Sequence, residues 1–177
     1  MQIWDNRERY GMVSRVLHWG MAAVILWQLF TVLARVLLDD ESAMYGFFWG
    51  THRETGFLIF TLVILRGIWA LVNIRQRPPS VSLPAKVGHI VLYLLMLGIP
   101  AAALLRQYGS GRAFEPFGIP LFPGFEGDRI EWMMVPANTF HSWFGYLLFM
   151  LIVGHVAMAI WRHRDPEKTN VLPRMWN

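Results

Sequence analysis

Apolar residues dominate four stretches of this chain, residues 16–34, 56–74, 87–105 and 140–161, and polar or turn-forming residues gather between them. Each stretch is close to the ~20 residues an α-helix needs to cross a hydrocarbon core. None shows the strict alternation of a barrel strand. A bilayer offers backbone groups no water, so these runs predict spanning helices. The expectation is an all-α protein, an integral membrane four-helix bundle in one domain over residues 1–177. The first run exceeds the ~7–15 residues of a signal-peptide core and no A-x-A-like cleavage site follows it, so it is expected to remain as a span.

Between the spans, residues 1–14 read as a polar tail, and residues 38–51 as a short loop with a solvated acidic cluster, Asp39, Asp40 and Glu41. Residues 76–85 contain Pro78, Pro79 and Pro84 and read as a stiff connection that separates two antiparallel hairpins. Residues 107–139 are the longest connection, rich in Gly, Pro and Phe, with a short interfacial helix expected over 128–135. That segment reads either as a lid over one end of the bundle or as a plain surface loop.

Charge sets the orientation. Arg7, Arg9 and Arg15, then Arg75, Arg77 and Lys86, then Arg162, Arg164, Lys168 and Arg174 all fall on one side. The positive-inside rule makes that side, and both termini, cytoplasmic. On the other side Arg35, Arg53, Arg106, Arg112 and Arg129 are outnumbered by carboxylates. The net charge of +4 thus reflects a membrane asymmetry, and nucleic acid is not an expected partner. Only 16% of residues are charged and 55% are hydrophobic, against roughly 25% charged in an average soluble domain. The chain contains no cysteine, which excludes disulfides, thiolate-held iron–sulfur clusters and a C-x-x-C-H haem attachment.

Five of the six histidines lie near span ends. Ionisable groups in a bilayer are costly and mark sites by default. His141 and His155 are 14 residues apart on the fourth span, about four turns, so they share nearly one face ~21 Å apart along the axis. His52, just before the second span, matches the outer level, and His18, early in the first, matches the inner one. The pairs His52–His141 and His18–His155 follow. Neutral imidazoles on facing helices are suitable axial ligands for haem iron, so two non-covalent haems b are expected, one at each level. A lone histidine would read as structural; four at two consistent depths do not.

Arg66 lies 14 residues after His52 on the same face and reaches the inner level, where a haem propionate is its natural counter-ion. The alternatives for Arg66 are backbone partners or a water-filled crevice. His89 opens the third span on the inner side, and Arg162 and His163 end the fourth at a similar level. Together they suggest a polar pocket for a quinone head group, the other reading being solvated anchors. Trp19, Tyr93, Trp143 and Tyr146 are candidates to line ring edges, or to pack and anchor.

The ordered set Leu17–His18–Trp19, His52-x-x-x-Gly56, Arg66, Gly88–His89 with Leu92–Tyr93, His141-x-x-x-Gly145–Tyr146 and His155 resembles the bacterial cytochrome b561 family over nearly the whole chain. The tail Thr169–Asn170–Val171–Leu172 with Arg174–Met175 is similar to the family's ending. The resemblance implies a di-haem b cytochrome of the bacterial inner membrane, with His18 and His155 on one haem and His52 and His141 on the other. In a superoxide oxidase branch of that family, superoxide is oxidised to dioxygen at the outer haem and electrons pass to ubiquinone. Arg53 or Arg106 would steer the anion electrostatically. The alternative function is a cytochrome b subunit passing electrons between the quinone pool and a periplasmic redox protein. No catalytic residue is expected beyond the haems and their ligands.

Overall fold

Four helical stretches in the computed structural model are long and apolar enough to cross a membrane: Met12–Leu37, Ala43–Val72 (two helices that meet at Thr51), Leu83–Gly109 and Glu131–Arg164. The structure describes residues 2–176. In chain order the elements are α1 (Met12–Leu37), α2 (Ala43–Gly50), α3 (His52–Val72), α4 (Leu83–Gly109), α5 (Glu131–Arg164) and α6 (Pro173–Trp176), with a 3-10 turn at Pro116–Gly118. Among the described residues there is no strand, only an isolated antiparallel bridge between Phe114 and Phe122.

The helices overrun the apolar stretches because hydropathy marks only the part inside hydrocarbon, while helical hydrogen bonding continues into the headgroup region. Two connections accordingly differ from the sequence reading. Residues 38–51 are not all loop: Ser42 caps α2, its hydroxyl accepting from Tyr45 N at 3.2 Å. The acidic residues ahead of the cap concealed this short aromatic helix. The long connection shortens to residues 110–130, and the interfacial helix expected over 128–135 is the beginning of α5. Pro136 does not end α5 because it lies in the second turn, where its missing N–H removes one ladder bond close to the helix start. Gly109 allows this junction to form. A Cβ there would stand 2.7 Å from Met133 Cβ and 3.0 Å from the Ile130 carbonyl oxygen.

The N-terminal segment is more than a polar tail. Asp5 is 1% exposed, and its Oδ1 accepts from Gly11 N at 2.8 Å and from the Ser14 hydroxyl at 2.7 Å. Its Oδ2 lies 3.4 Å from Arg77 Nε, and its backbone N–H donates to Asn73 Oδ1. Trp69 donates to Ser14, and Trp4 stacks on Trp69 at 5.0 Å. One buried aspartate thus ties the entry of α1 to the exit of α3 at the end of the bundle that carries both termini. The C-terminal segment reaches the same end, where Tyr10 N donates to the Arg174 carbonyl and Trp19 Nε1 to the Met175 carbonyl.

The helices pack as α1 on α3, α3 on α4 and α4 on α5. Their shared core is Met21 and Ile25 of α1, Ile59 and Val63 of α3, and Leu92 and Met96 of α4, with Leu148, Leu151 and Ile152 of α5 against it. These residues follow His18, His52, His89 and His141 by one to three turns, or precede His155, so the apolar core is a middle layer with histidines on either side. Otherwise α5 buries little of itself against protein, Ala137 alone being fully buried.

Candidate functional site

Each histidine pair is built from two helices that approach from opposite sides. At the end carrying the termini, His18 of α1 and His155 of α5 place their ring centres 6.3 Å apart. At the far end, His52 at the start of α3 and His141 of α5 are 6.2 Å apart. An imidazole nitrogen binds a transition-metal ion at about 2 Å, and the ring centre stands about 1 Å behind it, so two imidazoles on one metal have centres about 6 Å apart. Both pairs have that spacing. Among the described residues no three or more His, Cys, Asp or Glu side chains gather as a bare-ion site. Each pair can therefore offer two axial donors to an ion whose remaining positions a macrocycle fills, and this donor set fits haem.

Polar atoms around the pair near the termini fit it as well. Buried His18 Nδ1 and Tyr93 Oη have no hydrogen-bond partner. Arg66 holds its guanidinium carbon 5.4 Å from the Tyr93 ring centre, and the only ion pair among the described residues is Asp5–Arg77. A half-buried cation without a carboxylate partner and a buried, unpartnered hydroxyl would suit the carboxylates of a haem.

At the far end the surroundings of His52 are more complete. Thr31, fully buried, donates its hydroxyl proton to the Gln28 carbonyl at 2.7 Å and lies 2.8 Å from His52 Nδ1. The Gln28 amide nitrogen donates to the His52 carbonyl at 3.1 Å, and Thr55 donates to Gln28 Oε1. That amide nitrogen also lies 3.2 Å from His52 Nε2. A metal held by Nε2 would take the place of this last contact and leave the amide its carbonyl bond. Trp49 stacks on His52 with ring centres 4.6 Å apart, and Arg35 covers Trp49 at 4.3 Å. Arg106 lies within electrostatic reach of His141.

The other sequence-selected residues fall differently. His89 is near the His18–His155 pair, its ring 5.2 Å from that of His155, and its Nδ1 is 2.6 Å from the Ala85 carbonyl. His163 contacts Asn170 at 3.1 Å, and no described contact joins it or Arg162 to His89. Trp143 and Tyr146 are 73% and 59% exposed. Trp19 fastens the C-terminal segment, and its ring meets Trp176 edge to face. Sequence reasoning passed over Thr31, Gln28, Trp49 and Arg35. Thr31 and Gln28 lie 21 and 24 residues before His52 and become its neighbours only when α1 packs on α3.

The chain matches the family model for prokaryotic cytochrome b561 over residues 9–177. It is 27% identical over 184 residues to cytochrome b561 homolog 2 of Escherichia coli (strain K12), an alignment that covers 99% of this chain and 95% of that protein. It is 23% identical over 175 residues to cytochrome b561 homolog 1 of the same organism, covering 94% and 96%. A protein of Yersinia pestis named probable superoxide oxidase CybB is 28% identical over 132 residues, covering 70% of this chain and 72% of that protein. With four spanning helices, these matches establish that the chain belongs to the prokaryotic cytochrome b561 family, haem b membrane proteins of electron transfer.

Proposed function

We propose that this is a di-haem b protein of the bacterial inner membrane that oxidises periplasmic superoxide to dioxygen and reduces ubiquinone. His18 and His155 would ligate one haem toward the cytoplasm, and His52 and His141 the other toward the periplasm. The observation that carries this reading is the pair of histidine couples, 6.3 and 6.2 Å between ring centres, at two levels of one bundle. Both termini would be cytoplasmic, following the basic residues at that end.

Haem iron supplies one-electron transfer when bound, and the protein's part is to place, tune and give access. Arg66 offers its charge to a propionate. Arg35 and Arg106, beside the periplasmic histidines, draw in a small anion by electrostatic steering. Two superoxide anions each lose one electron and leave as dioxygen, and one ubiquinone takes up two electrons and two protons. His89 donates through Nδ1 to the Ala85 carbonyl, which leaves Nε2 to face a quinone oxygen and relay a proton from the cytoplasmic side. Arg162 and His163 would border that quinone site. The name of the Yersinia pestis relative supports the superoxide half of this reading.

The test is stopped-flow mixing of the oxidised protein with superoxide, with and without ubiquinone. Fast haem reduction that superoxide dismutase abolishes, followed by quinone-dependent reoxidation, is the expected result. Haem that dithionite reduces but superoxide does not would transfer the electron-donor role to a periplasmic redox protein.

A further inference from the structure

We propose that Thr31 is a positioning residue that fixes the tautomer of His52 and, through it, lowers the reduction potential of the haem held by His52 and His141. The inference rests on the ligand assignment of the preceding subsection and extends it to a residue on another helix. A threonine hydroxyl has one proton to donate and lone pairs to accept. Thr31 lies 2.7 Å from the Gln28 carbonyl, which can only accept, so the hydroxyl proton is committed there. The same oxygen lies 2.8 Å from His52 Nδ1, and this second bond therefore needs a proton from the imidazole. His52 is held with hydrogen on Nδ1 and its lone pair on Nε2, the nitrogen that would bind iron in place of its 3.2 Å contact with the Gln28 amide nitrogen.

Two further observations make this arrangement specific. Thr31 is 0% exposed, so no water competes for its oxygen, and the bond has its full strength in a low-dielectric layer. The corresponding nitrogen at the other level, His18 Nδ1, is buried without any partner. One ligand is anchored through its second nitrogen and the other is not. A hydrogen bond at Nδ1–H raises the basicity of the ligating nitrogen, and a more basic axial ligand favours the ferric over the ferrous state. The His52 level thus acquires a bias to give up its electron that His18 does not confer at the other level. In the proposed direction of flow, from periplasm to cytoplasm, that bias is downhill.

The experiment is a spectroelectrochemical titration of the two-haem protein as wild type, Thr31→Val, Thr31→Ala and Thr31→Ser. Loss of the hydroxyl in the Val and Ala variants is expected to shift the ferrous-to-ferric ratio of one haem by roughly tenfold, a rise of about 59 mV for a one-electron couple, with the other haem unchanged. Serine keeps the hydroxyl and should restore the wild-type potential. Potentials of Val and Ala equal to wild type, with both bis-histidine spectra intact, would overturn the proposal. If Val and Ala lose that haem while Ser retains it, the hydroxyl holds the ligand as proposed. Loss in all three would assign Thr31 a role in packing alone and also overturn it. A wild-type protein with a single haem, or with none, would instead refute the ligand pairs.

Discussion

Arg66 stands with its guanidinium carbon 5.4 Å from the centre of the Tyr93 ring, and no carboxylate among the described residues pairs with it. The contact is favourable but small, of the order of 1 kcal/mol for a cation over an aromatic face, and does not by itself justify a cation in this layer. The Tyr93 hydroxyl, buried without a partner, lies on the ring that Arg66 covers. Both groups would suit an anionic group brought in from elsewhere, which is the propionate role proposed for Arg66.

Replacing Arg66 with Gln should therefore weaken one haem and spare the other. A charge-assisted hydrogen bond contributes about 1.5–3 kcal/mol, which corresponds to roughly tenfold or more in haem affinity. Haem titration followed by difference spectroscopy resolves the two components. Equal loss of both, or of neither, would remove Arg66 from the propionate role.

The histidine pairs predict two different losses from two single substitutions. His141→Ala should abolish the haem shared with His52, and His18→Ala the one shared with His155, because each change leaves an iron with one protein ligand. Pyridine haemochrome assay should give about half the wild-type haem in each variant, and low-temperature α-band spectra should show complementary components. If both variants lose the same spectral component, the pairing is wrong.

How far the sequence carries this protein depends on the range of the interaction. The 14-residue interval between His141 and His155 needs only a regular helix to place both on one face, and α5 supplies it from Glu131 to Arg164. The four spans and two histidine levels were legible for that reason. Asp5 was not, because a carboxylate in a polar N-terminal tail looks solvated until Asn73 and Arg77, some seventy residues later, close over it. Thr31 was hidden in the same way: one hydroxyl in an apolar span carries no signal until α1 meets α3.

Asp5 gives a stability prediction independent of any cofactor. Its side chain is fully buried, while that of Arg77 is 22% exposed, so removing the acid strands a cation that retains some access to water. Asp5→Ala should cost about 3 kcal/mol, the lower end for breaking a buried pair, with the Gly11 and Ser14 bonds lost as well. Unfolding in detergent micelles measures this. The double variant Asp5→Ala with Arg77→Met should be less destabilised than the sum of its singles, since the two residues interact directly. Additive effects would mean that the ion pair contributes nothing.

His89 offers a prediction on rate without a change in haem content. Its ring is 5.2 Å from His155, closer than the roughly 6 Å that two ligands of one metal require, and its Nδ1 is engaged with the Ala85 carbonyl. Both facts suit a residue beside the haem more than a ligand to it. His89→Ala should keep two bis-histidine spectra and the rate of haem reduction by superoxide, while reoxidation by ubiquinone slows by about 10²-fold, the scale of a lost proton-transfer group. His89→Gln keeps a polar head without the ability to relay protons at neutral pH. It should retain quinone affinity and still lose rate, which separates proton relay from binding. Reoxidation at the wild-type rate in both variants would place the quinone elsewhere along the cytoplasmic end. Loss of a haem spectrum in His89→Ala would instead make His89 the partner of His155.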